Sequence, residues 1–286
     1  MDSTTPVLDI QGLTQSYGSE AILTDVSLRF QENQIYGLLG RNGAGKTTLL
    51  NSITNRILPD RGQVRWLGED LSQRPGIIRQ VCYMPEKNYF QDLKLHKLLN
   101  HGKHFFFPDL DLEYAKDLAA RFELDLNKRQ GKLSKGQGSI FKIIFGLASR
   151  ALITIFDEPI IGLDAVARDL FYRELIAAYG LNPRMFIVST HLIEELANAF
   201  SEVVILKNGT VYCQESVEAL LEKTFCVSGK SDDVDEFSKS YSVLGSETFG
   251  GMKRVAVEGK APGEDPTGLQ VSSISLQQLF IYLTSN

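Results

Sequence analysis

Residues 40–48 have the types and the spacing needed to hold phosphate. This segment, Gly-Arg-Asn-Gly-Ala-Gly-Lys-Thr-Thr, lies between the apolar run 35–39 and a helical pattern that continues to Ile53. Glycines let successive backbone N–H groups converge on phosphate oxygens, and the N-terminus of the following helix adds about half a positive charge. We expect Lys46 to reach the β- and γ-phosphates of a nucleotide, and the Thr47 hydroxyl to coordinate Mg²⁺. The predicted phosphate ligands are Gly40, Asn42, Gly43, Gly45, Lys46, Thr47 and Thr48.

Two adjacent carboxylates, Asp157 and Glu158, follow a second apolar run at 152–156. In a doubly wound sheet, the carboxyl end of such a strand lies beside the phosphate loop. We therefore expect Asp157 to hold Mg²⁺ through water, and Glu158 to act as the general base that polarises the attacking water. The chain lacks the Asn-Lys-x-Asp string that reads guanine, because Asn127-Lys128 is followed by Arg-Gln. This argues against a GTPase.

A third string, Leu-Ser-Lys-Gly-Gln at 133–137, opens a helical stretch upstream of Asp157. Ser134 and the backbone N–H of Gly136 would lie at the N-terminus of that helix. Such groups can cap their own helix or bind a γ-phosphate, because both roles use donors and acceptors at a helix start. The residues alone leave both roles open.

Composition and charge limit the classes of partner. The chain has 286 residues and 43% hydrophobic content, enough for one large α/β domain and a small appendage. Its net charge of −5 provides no basic field for DNA or RNA, so no nucleic-acid partner is expected. Cys82, Cys213 and Cys226 form no CxxC pair, which argues against a disulfide framework and a zinc site. No apolar stretch approaches the roughly twenty residues that span a bilayer, so membrane work would need another chain.

Short apolar runs alternate with helical patterns, which predicts a mainly parallel sheet covered by helices. Strands are expected at 7–10, 27–30, 151–156 and 185–188, and an amphipathic helix from Asp111 onward. Asn208-Gly209 between two β-like runs predicts a hairpin, because this dipeptide suits a turn with positive φ. The middle of the chain, about 87–150, reads as mostly helical.

The character of the chain changes after about Lys223. Glycine, serine and acidic residues become frequent, with short β-like pieces and a final amphipathic helix. We predict a nucleotide-binding domain at 1–223 and a small α+β accessory domain at 224–286. A dimer brace, a regulatory surface and a stabilising lid all remain open as roles for the accessory domain.

These strings together resemble the ATP-binding cassette (ABC) ATPases of ABC transporters, over roughly residues 5–220. The resemblance implies a P-loop α/β cassette with an antiparallel β part and a helical subdomain. It also implies that Tyr17 stacks on adenine, that 162–164 form the D-loop and that His191 is the switch histidine. These roles suit the chemistry, since a tyrosine ring can stack on any base and a neutral imidazole can hydrogen-bond a γ-phosphate.

The resemblance implies a shared catalytic centre. In the family, two cassettes face head to tail, and each ATP lies between one subunit's phosphate loop and the other subunit's signature helix. Ser134, Gly136 and Gln137 would then contact the partner's nucleotide. The expected ligands are ATP and Mg²⁺, and the expected partners are a second ABC ATPase subunit and an integral membrane permease. This would place the chain at the cytoplasmic face of the cell membrane. Tyr89 and Phe90 are candidate permease contacts.

The sequence departs from the family pattern at three positions. Glu86 occupies the place of a glutamine that usually touches Mg²⁺ and the attacking water, and we expect it to remain a metal ligand. Lys135 replaces a glycine of the signature string, and Ile160 replaces a threonine after Asp-Glu-Pro. Neither of these two changes removes a phosphate donor, so activity is expected to survive.

Within the family, the middle and end of the chain resemble cassettes of Gram-positive exporters of cytolytic or antimicrobial peptides. The strings that carry this narrower likeness are Phe-Pro-Asp-Leu-Asp at 107–111, Phe-Asp-Glu-Pro at 156–159, Gly-Leu-Asp-Ala at 162–165, Phe-Tyr-Arg-Glu at 171–174 and Ser-Leu-Gln-Gln-Leu at 275–279. It implies export of an amphipathic peptide. Two alternatives remain, a non-transport ABC ATPase and a P-loop phosphotransferase. The second would leave the signature string and His191 unexplained.

Overall fold

The computed structural model describes residues 7–86, 92–263 and 265–285. The chain divides into two compact units, Met1–Phe200 with Val204–Gln214 and Ser201–Val203 with Glu215–Asn286. The domain boundary at 223/224 stays a prediction, and the main segment of the second unit begins earlier, at Glu215. None of the helices in the described ranges has both the length and the apolar character needed to cross a bilayer.

The chain up to residue 216 contains two β-sheets and the helices that connect their strands. Its strands are β1 (Leu8–Tyr17), β2 (Glu20–Phe30), β3 (Ile35–Leu39), β4 (Arg61–Trp66), β5 (Glu69–Asp70), β6 (Val81–Met84), β7 (Ile153–Asp157), β8 (Met185–Thr190), β9 (Glu202–Lys207) and β10 (Thr210–Ser216). Its helices are α1 (Lys46–Ile53), α2 (Leu95–Phe105), α3 (Leu112–Arg121), α4 (Lys135–Ala148) and α5 (Ala165–Leu181).

The larger sheet has the order β10-β9-β3-β8-β7-β6, and its pairs β3-β8, β8-β7 and β7-β6 are parallel. Strands β3, β7 and β8 are buried along their whole length, as expected for parallel strands covered on both faces. The smaller sheet is antiparallel in the order β2-β1-β4-β5. The predicted α/β cassette with an antiparallel β part is confirmed.

The parallel register brings the carboxyl ends of three strands to one edge. Leu39 pairs with Thr190, and Asp157 pairs with Ser189. The residues that follow these strands therefore meet at this edge, and they include the phosphate loop and the two carboxylates.

Strands β1 and β2 are longer than the sequence predicted. The pairing of β1 with β2 shifts register three times, after Ile10, Leu13 and Gln15. These irregularities interrupt the alternation of apolar and polar residues, and this hid the full extent of both strands. The predicted helix from Asp111 is α3, whose first N–H groups are capped by the Asp111 carboxylate. The predicted hairpin turn is present between β9 and β10, with positive φ at Asn208 and Gly209.

The rest of the chain is an α+β arrangement. It contains α6 (Val217–Glu222), β11 (Thr224–Lys230), α7 (Ser231–Ser238), β12 (Ser242–Phe249), β13 (Met252–Glu258), β14 (Leu269–Ser272) and α8 (Leu276–Thr284). The sheet is antiparallel in the order β12-β13-β11-β14, so α7 joins two strands that are separated by a third. Its core is formed by Phe225, Val227, Val234, Val255 and Val257.

Candidate nucleotide-binding and hydrolysis site

The phosphate loop between β3 and α1 depends on glycine. Gly43 and Gly45 have φ values of 83° and 99°, in the left-handed region that side chains disfavour. A Cβ on Gly45 would lie 2.6 Å from Leu23 Cδ2 and 3.1 Å from the Ile22 carbonyl oxygen. A Cβ on Gly209 would lie 2.3 Å from the same Ile22 oxygen. The phosphate loop and the β9–β10 turn thus both pack closely on one carbonyl group of β2.

Lys46, the first residue of α1, turns its ammonium back into the loop. Its Nζ donates to the carbonyl oxygen of Gly40 at 2.7 Å and lies 3.4 Å from Glu158 Oε1. Both side chains are almost fully buried, with exposures of 7% and 9%. A buried cation needs such partners, because an unpaired charge in this position is strongly unfavourable. Of the other predicted loop ligands, Asn42 and Thr47 are exposed and Thr48 is buried.

Asp157 lies at the centre of a set of hydroxyl groups. Its Oδ2 accepts hydrogen bonds from Thr47 Oγ1 at 2.8 Å and from the Tyr83 hydroxyl at 3.3 Å. Its Oδ1 accepts from Ser189 Oγ at 2.8 Å. Burial raises the pKa of Asp157, and the charge of neighbouring Glu158 acts in the same direction, while the hydroxyls of Ser189 and Thr47 oppose the shift.

The donor set around Asp157 fits Mg²⁺. This ion prefers oxygen ligands, usually one or two carboxylates together with phosphate oxygens and water. Thr47 and Asp157 supply a hydroxyl and a carboxylate that already touch. Within the described ranges, His, Cys, Asp and Glu nowhere form a group of three that could hold a metal by themselves, so a site here would need phosphate or water to complete it.

Glu158 is held in a defined orientation by three contacts. Nδ1 of His191 lies 3.0 Å from both carboxylate oxygens, and Nζ of Lys46 lies 3.4 Å from Oε1. The Glu158 backbone N–H donates to the carbonyl oxygen of Ser189 at 3.0 Å. Glu158 has a φ of 50°, which costs a residue with a side chain about 1–3 kcal/mol. The fold therefore keeps this carboxylate in place at an energetic cost, as is common at functional sites.

The signature string forms the N-terminus of α4. Ser134 caps the helix by accepting a hydrogen bond from the Gln137 N–H at 3.2 Å, and Gln137 Oε1 accepts in return from the Ser134 N–H at 3.4 Å. The helix tip packs closely on the D-loop, because a Cβ on Gly136 would lie 2.4 Å from the carbonyl oxygen of Gly162. Ser134 is exposed and caps its own helix in this chain. Its contact with a partner's nucleotide stays a prediction.

Other predicted site residues lie around this centre. Tyr17 ends β1 and is 51% exposed, so its ring is accessible. The carboxylate of Glu86 contacts the ammonium group of Lys135. The role of Glu86 as a metal ligand stays a prediction. The candidate permease contacts Tyr89 and Phe90 lie outside the described residues.

Sequence reasoning missed two members of the site, Tyr83 and Ser189. Each is a polar residue near the carboxyl end of a strand that neighbours β7. That placement was the available signal, but it depends on strand order and register, which the sequence does not show directly.

Comparison with known proteins agrees with this geometry. The model of the ABC transporter family matches residues 23–161. The ATP-binding protein YtrB of Bacillus subtilis is 27% identical, over 76% of this chain and 74% of the relative. NatA of the same organism is 29% identical, over 77% and 90%. A Nod factor export ATP-binding protein I from Bradyrhizobium is 26% identical, over 99% and 98%.

Solved structures show the same fold. An ATP-binding subunit of an ABC transporter has a TM-score of 0.66 at 25% identity, over 75% of this chain and 91% of that one. A dimeric cassette in a post-hydrolysis state, bound to ADP and Pi, has a TM-score of 0.65 at 22% identity, over 73% and 98%. The chain is similar to ATP-binding subunits of ABC transporters and is an ATPase with the fold of these cassettes. The narrower likeness to peptide exporters is not confirmed, since these relatives carry other descriptions.

Proposed function

We propose that this chain is the ATP-hydrolysing subunit of an exporter and drives a separate membrane permease. The observation that carries this proposal is the continuous arrangement of Lys46, Glu158 and His191 beside the Thr47–Asp157 pair. It supports the assignment of a phosphate-binding cation, a base and a magnesium-binding pair to residues of one group of contacts. These are the parts that ATP hydrolysis by a P-loop protein requires.

Each residue has a separate task in this reaction. Lys46 binds the β- and γ-phosphates, and the pair formed by Thr47 and Asp157 holds Mg²⁺, which supplies positive charge that offsets the phosphate oxygens. Glu158 accepts the proton of the attacking water, and His191 and Lys46 both contact the Glu158 carboxylate and orient it. Catalysis depends mainly on these fixed charges and donors, because they are in place before charge moves in the transition state.

A second subunit completes the site in this proposal. Ser134 and Gly136 lie at an accessible helix tip, where backbone N–H groups favour a phosphate. The dimeric cassette among the solved relatives supports an assembly of two subunits around nucleotide. We infer that ATP binding closes such a dimer and that hydrolysis reopens it.

An aromatic cavity supports docking of a permease at the cytoplasmic face of the membrane. It has a volume of about 670 Å³. Its lining includes Tyr83, Phe105, Phe106, Phe107, Phe141 and Phe145, together with Arg56 and Lys142. Phe105 and Phe106 are 66% and 60% exposed, and exposed aromatic residues are enriched at protein interfaces.

The cargo is proposed to be amphipathic. Relatives named as Nod factor export proteins support export as the direction, and the sequence likeness to peptide exporters supports an amphipathic peptide. Membranes that contain the full complex should show faster ATP hydrolysis when the correct peptide is added. No response across chemically varied peptides would remove the peptide proposal and would leave the ATPase proposal intact.

Two experiments separate this function from its alternatives. Hydrolysis of ATP without an added acceptor would distinguish an ATPase from a phosphotransferase, which transfers phosphate to a second substrate. Co-purification from detergent with a multispanning membrane protein would distinguish a transporter subunit from a non-transport ABC ATPase. Isolation of the native complex without any membrane protein would contradict the proposed role in transport.

A further inference from the structure

Two of the three residues that depart from the family pattern, Glu86 and Lys135, contact each other. Lys135 Nζ lies 3.4 Å from Glu86 Oε1. In the family pattern these positions carry a glycine and a glutamine, both neutral. We propose that Lys135 is a positioning residue that offsets the charge of Glu86 and holds this carboxylate beside the signature helix. The lysine at position 135 then compensates for the negative charge of glutamate at position 86. This inference rests on the proposed ATPase function.

Two lysines of α4 hold Glu86 at different atoms. Lys135 contacts the carboxylate, and Lys142 donates from its Nζ to the backbone carbonyl oxygen of Glu86. These lysines are seven residues apart, so they lie on the same face of the helix. Glu86, two residues after the end of β6, is therefore fixed to α4 through both its side chain and its backbone.

The Lys135 stem also has a defined position. A Cβ on Gly162 would lie 3.4 Å from Lys135 Cγ, so the stem passes against the D-loop. The ammonium then reaches Glu86 on the other side. Lys135 thus lies between two segments that flank the catalytic centre, one after β6 and the other after Glu158.

Glu86 lies near the catalytic carboxylates in the fold. It follows the end of β6 by two residues, and Met84 at that end pairs in parallel with Phe156 of β7, the residue before Asp157. The chain therefore leaves β6 at the same edge of the sheet as Asp157 and Glu158. A carboxylate there repels a triphosphate more than glutamine would, because it adds a full negative charge. Its pairing with Lys135 reduces this repulsion.

The test is a double-mutant cycle in the full-length chain, measured as kcat/KM for ATP. Its members are wild type, Lys135→Met, Glu86→Gln and the double variant. Methionine preserves most of the aliphatic part of the Lys135 side chain, which packs on Gly162, but it carries no charge. Glu86 and Lys135 are 49% and 64% exposed, so a modest effect is expected. Exposed pairs contribute about 0.2–1 kcal/mol, which is about a 1.4- to 5-fold change at 1.36 kcal/mol per factor of ten.

Lys135→Met should lower kcat/KM by this factor when residue 86 is glutamate and should have no effect when it is glutamine. The loss should shrink as ionic strength rises from about 0.05 to 0.5 M, because salt screens exposed charges. Lys135→Arg should retain wild-type activity. Lys116→Met is the matched control, since it breaks an exposed pair with Glu113 on α3 and should change nothing.

Three outcomes would overturn the inference. Equal losses in both backgrounds would show that Lys135 acts without Glu86, for example on the partner's phosphate. Unchanged activity in both backgrounds would show that the pair has no role in the reaction. A loss that does not depend on salt would indicate packing in place of charge. A wild-type chain that never hydrolyses ATP would refute the proposed function as well, whereas additive losses in an active enzyme refute this inference alone.

Discussion

Replacement of Glu158 by glutamine removes the proposed base and nearly preserves the shape of the side chain. A general base contributes about 10²- to 10⁴-fold to a reaction rate. This corresponds to about 2.7–5.4 kcal/mol of activation free energy at 1.36 kcal/mol per factor of ten. We therefore expect Glu158→Gln to lower the rate of phosphate release at saturating MgATP by at least about 100-fold.

The same substitution should leave nucleotide binding intact. The Glu158 carboxylate lies 3.4 Å from the Lys46 ammonium, and both side chains are buried. A neutral amide attracts this ammonium less strongly, so Lys46 becomes more available to phosphate. We expect an equal or larger MgATP-dependent rise in melting temperature, and ATP-dependent dimers in size-exclusion chromatography.

Glu113→Gln is a suitable control, because Glu113 is 84% exposed and its ion pair with Lys116 lies on the surface of α3. It should change neither hydrolysis nor binding. A Glu158→Gln protein that retained more than about a tenth of the wild-type rate would refute the assignment of the base. Loss of the MgATP-dependent melting shift would also contradict it, since that result would indicate a role in binding.

Three further predictions follow from the same geometry. Lys46→Ala should remove most of the melting shift that MgATP produces, as measured by differential scanning fluorimetry. Burial raises the pKa of Asp157, so the charged carboxylate lowers the stability of the folded chain at pH values above that pKa. Asp157→Asn should therefore raise the melting temperature at neutral pH, and this gain should fade as the pH falls through the pKa of the Asp157 carboxyl group. The same substitution should abolish hydrolysis. Gly136→Ala should lower the free energy of unfolding by about 1–3 kcal/mol in denaturant titrations and reduce hydrolysis, because the new methyl group meets Gly162. Gly180→Ala in α5 meets no neighbour and should be neutral or stabilising.

Local patterns predicted the phosphate loop and the two carboxylates. The loop needs glycines at fixed spacing before a helix, and this requirement is met within nine consecutive residues of the sequence. Strands β7 and β8 were also predictable, since a fully buried strand needs a continuous apolar run. These features depend on neighbours in sequence, which is why the sequence alone was sufficient.

The contacts across strands and helices were not predictable. Tyr83 and Ser189 reach Asp157 only because β6 and β8 flank β7 in parallel register. The contact between Glu86 and Lys135 joins residues almost fifty positions apart, and each was noticed in the sequence only as a separate departure from a pattern. Such pairs depend on the tertiary arrangement, which no local period encodes.

The close packing of two glycine turns on one carbonyl group of β2 has a consequence for how distant substitutions affect nucleotide affinity. A side chain at Gly209 would press on the Ile22 carbonyl, whose oxygen also lies against Gly45 of the phosphate loop. A substitution at Gly209 would therefore weaken ATP binding, although this residue is far along the sequence from every residue predicted to bind phosphate. Genetic screens for loss of transport should recover changes at this turn, and purified proteins that carry them should fold but require more nucleotide for half-saturation.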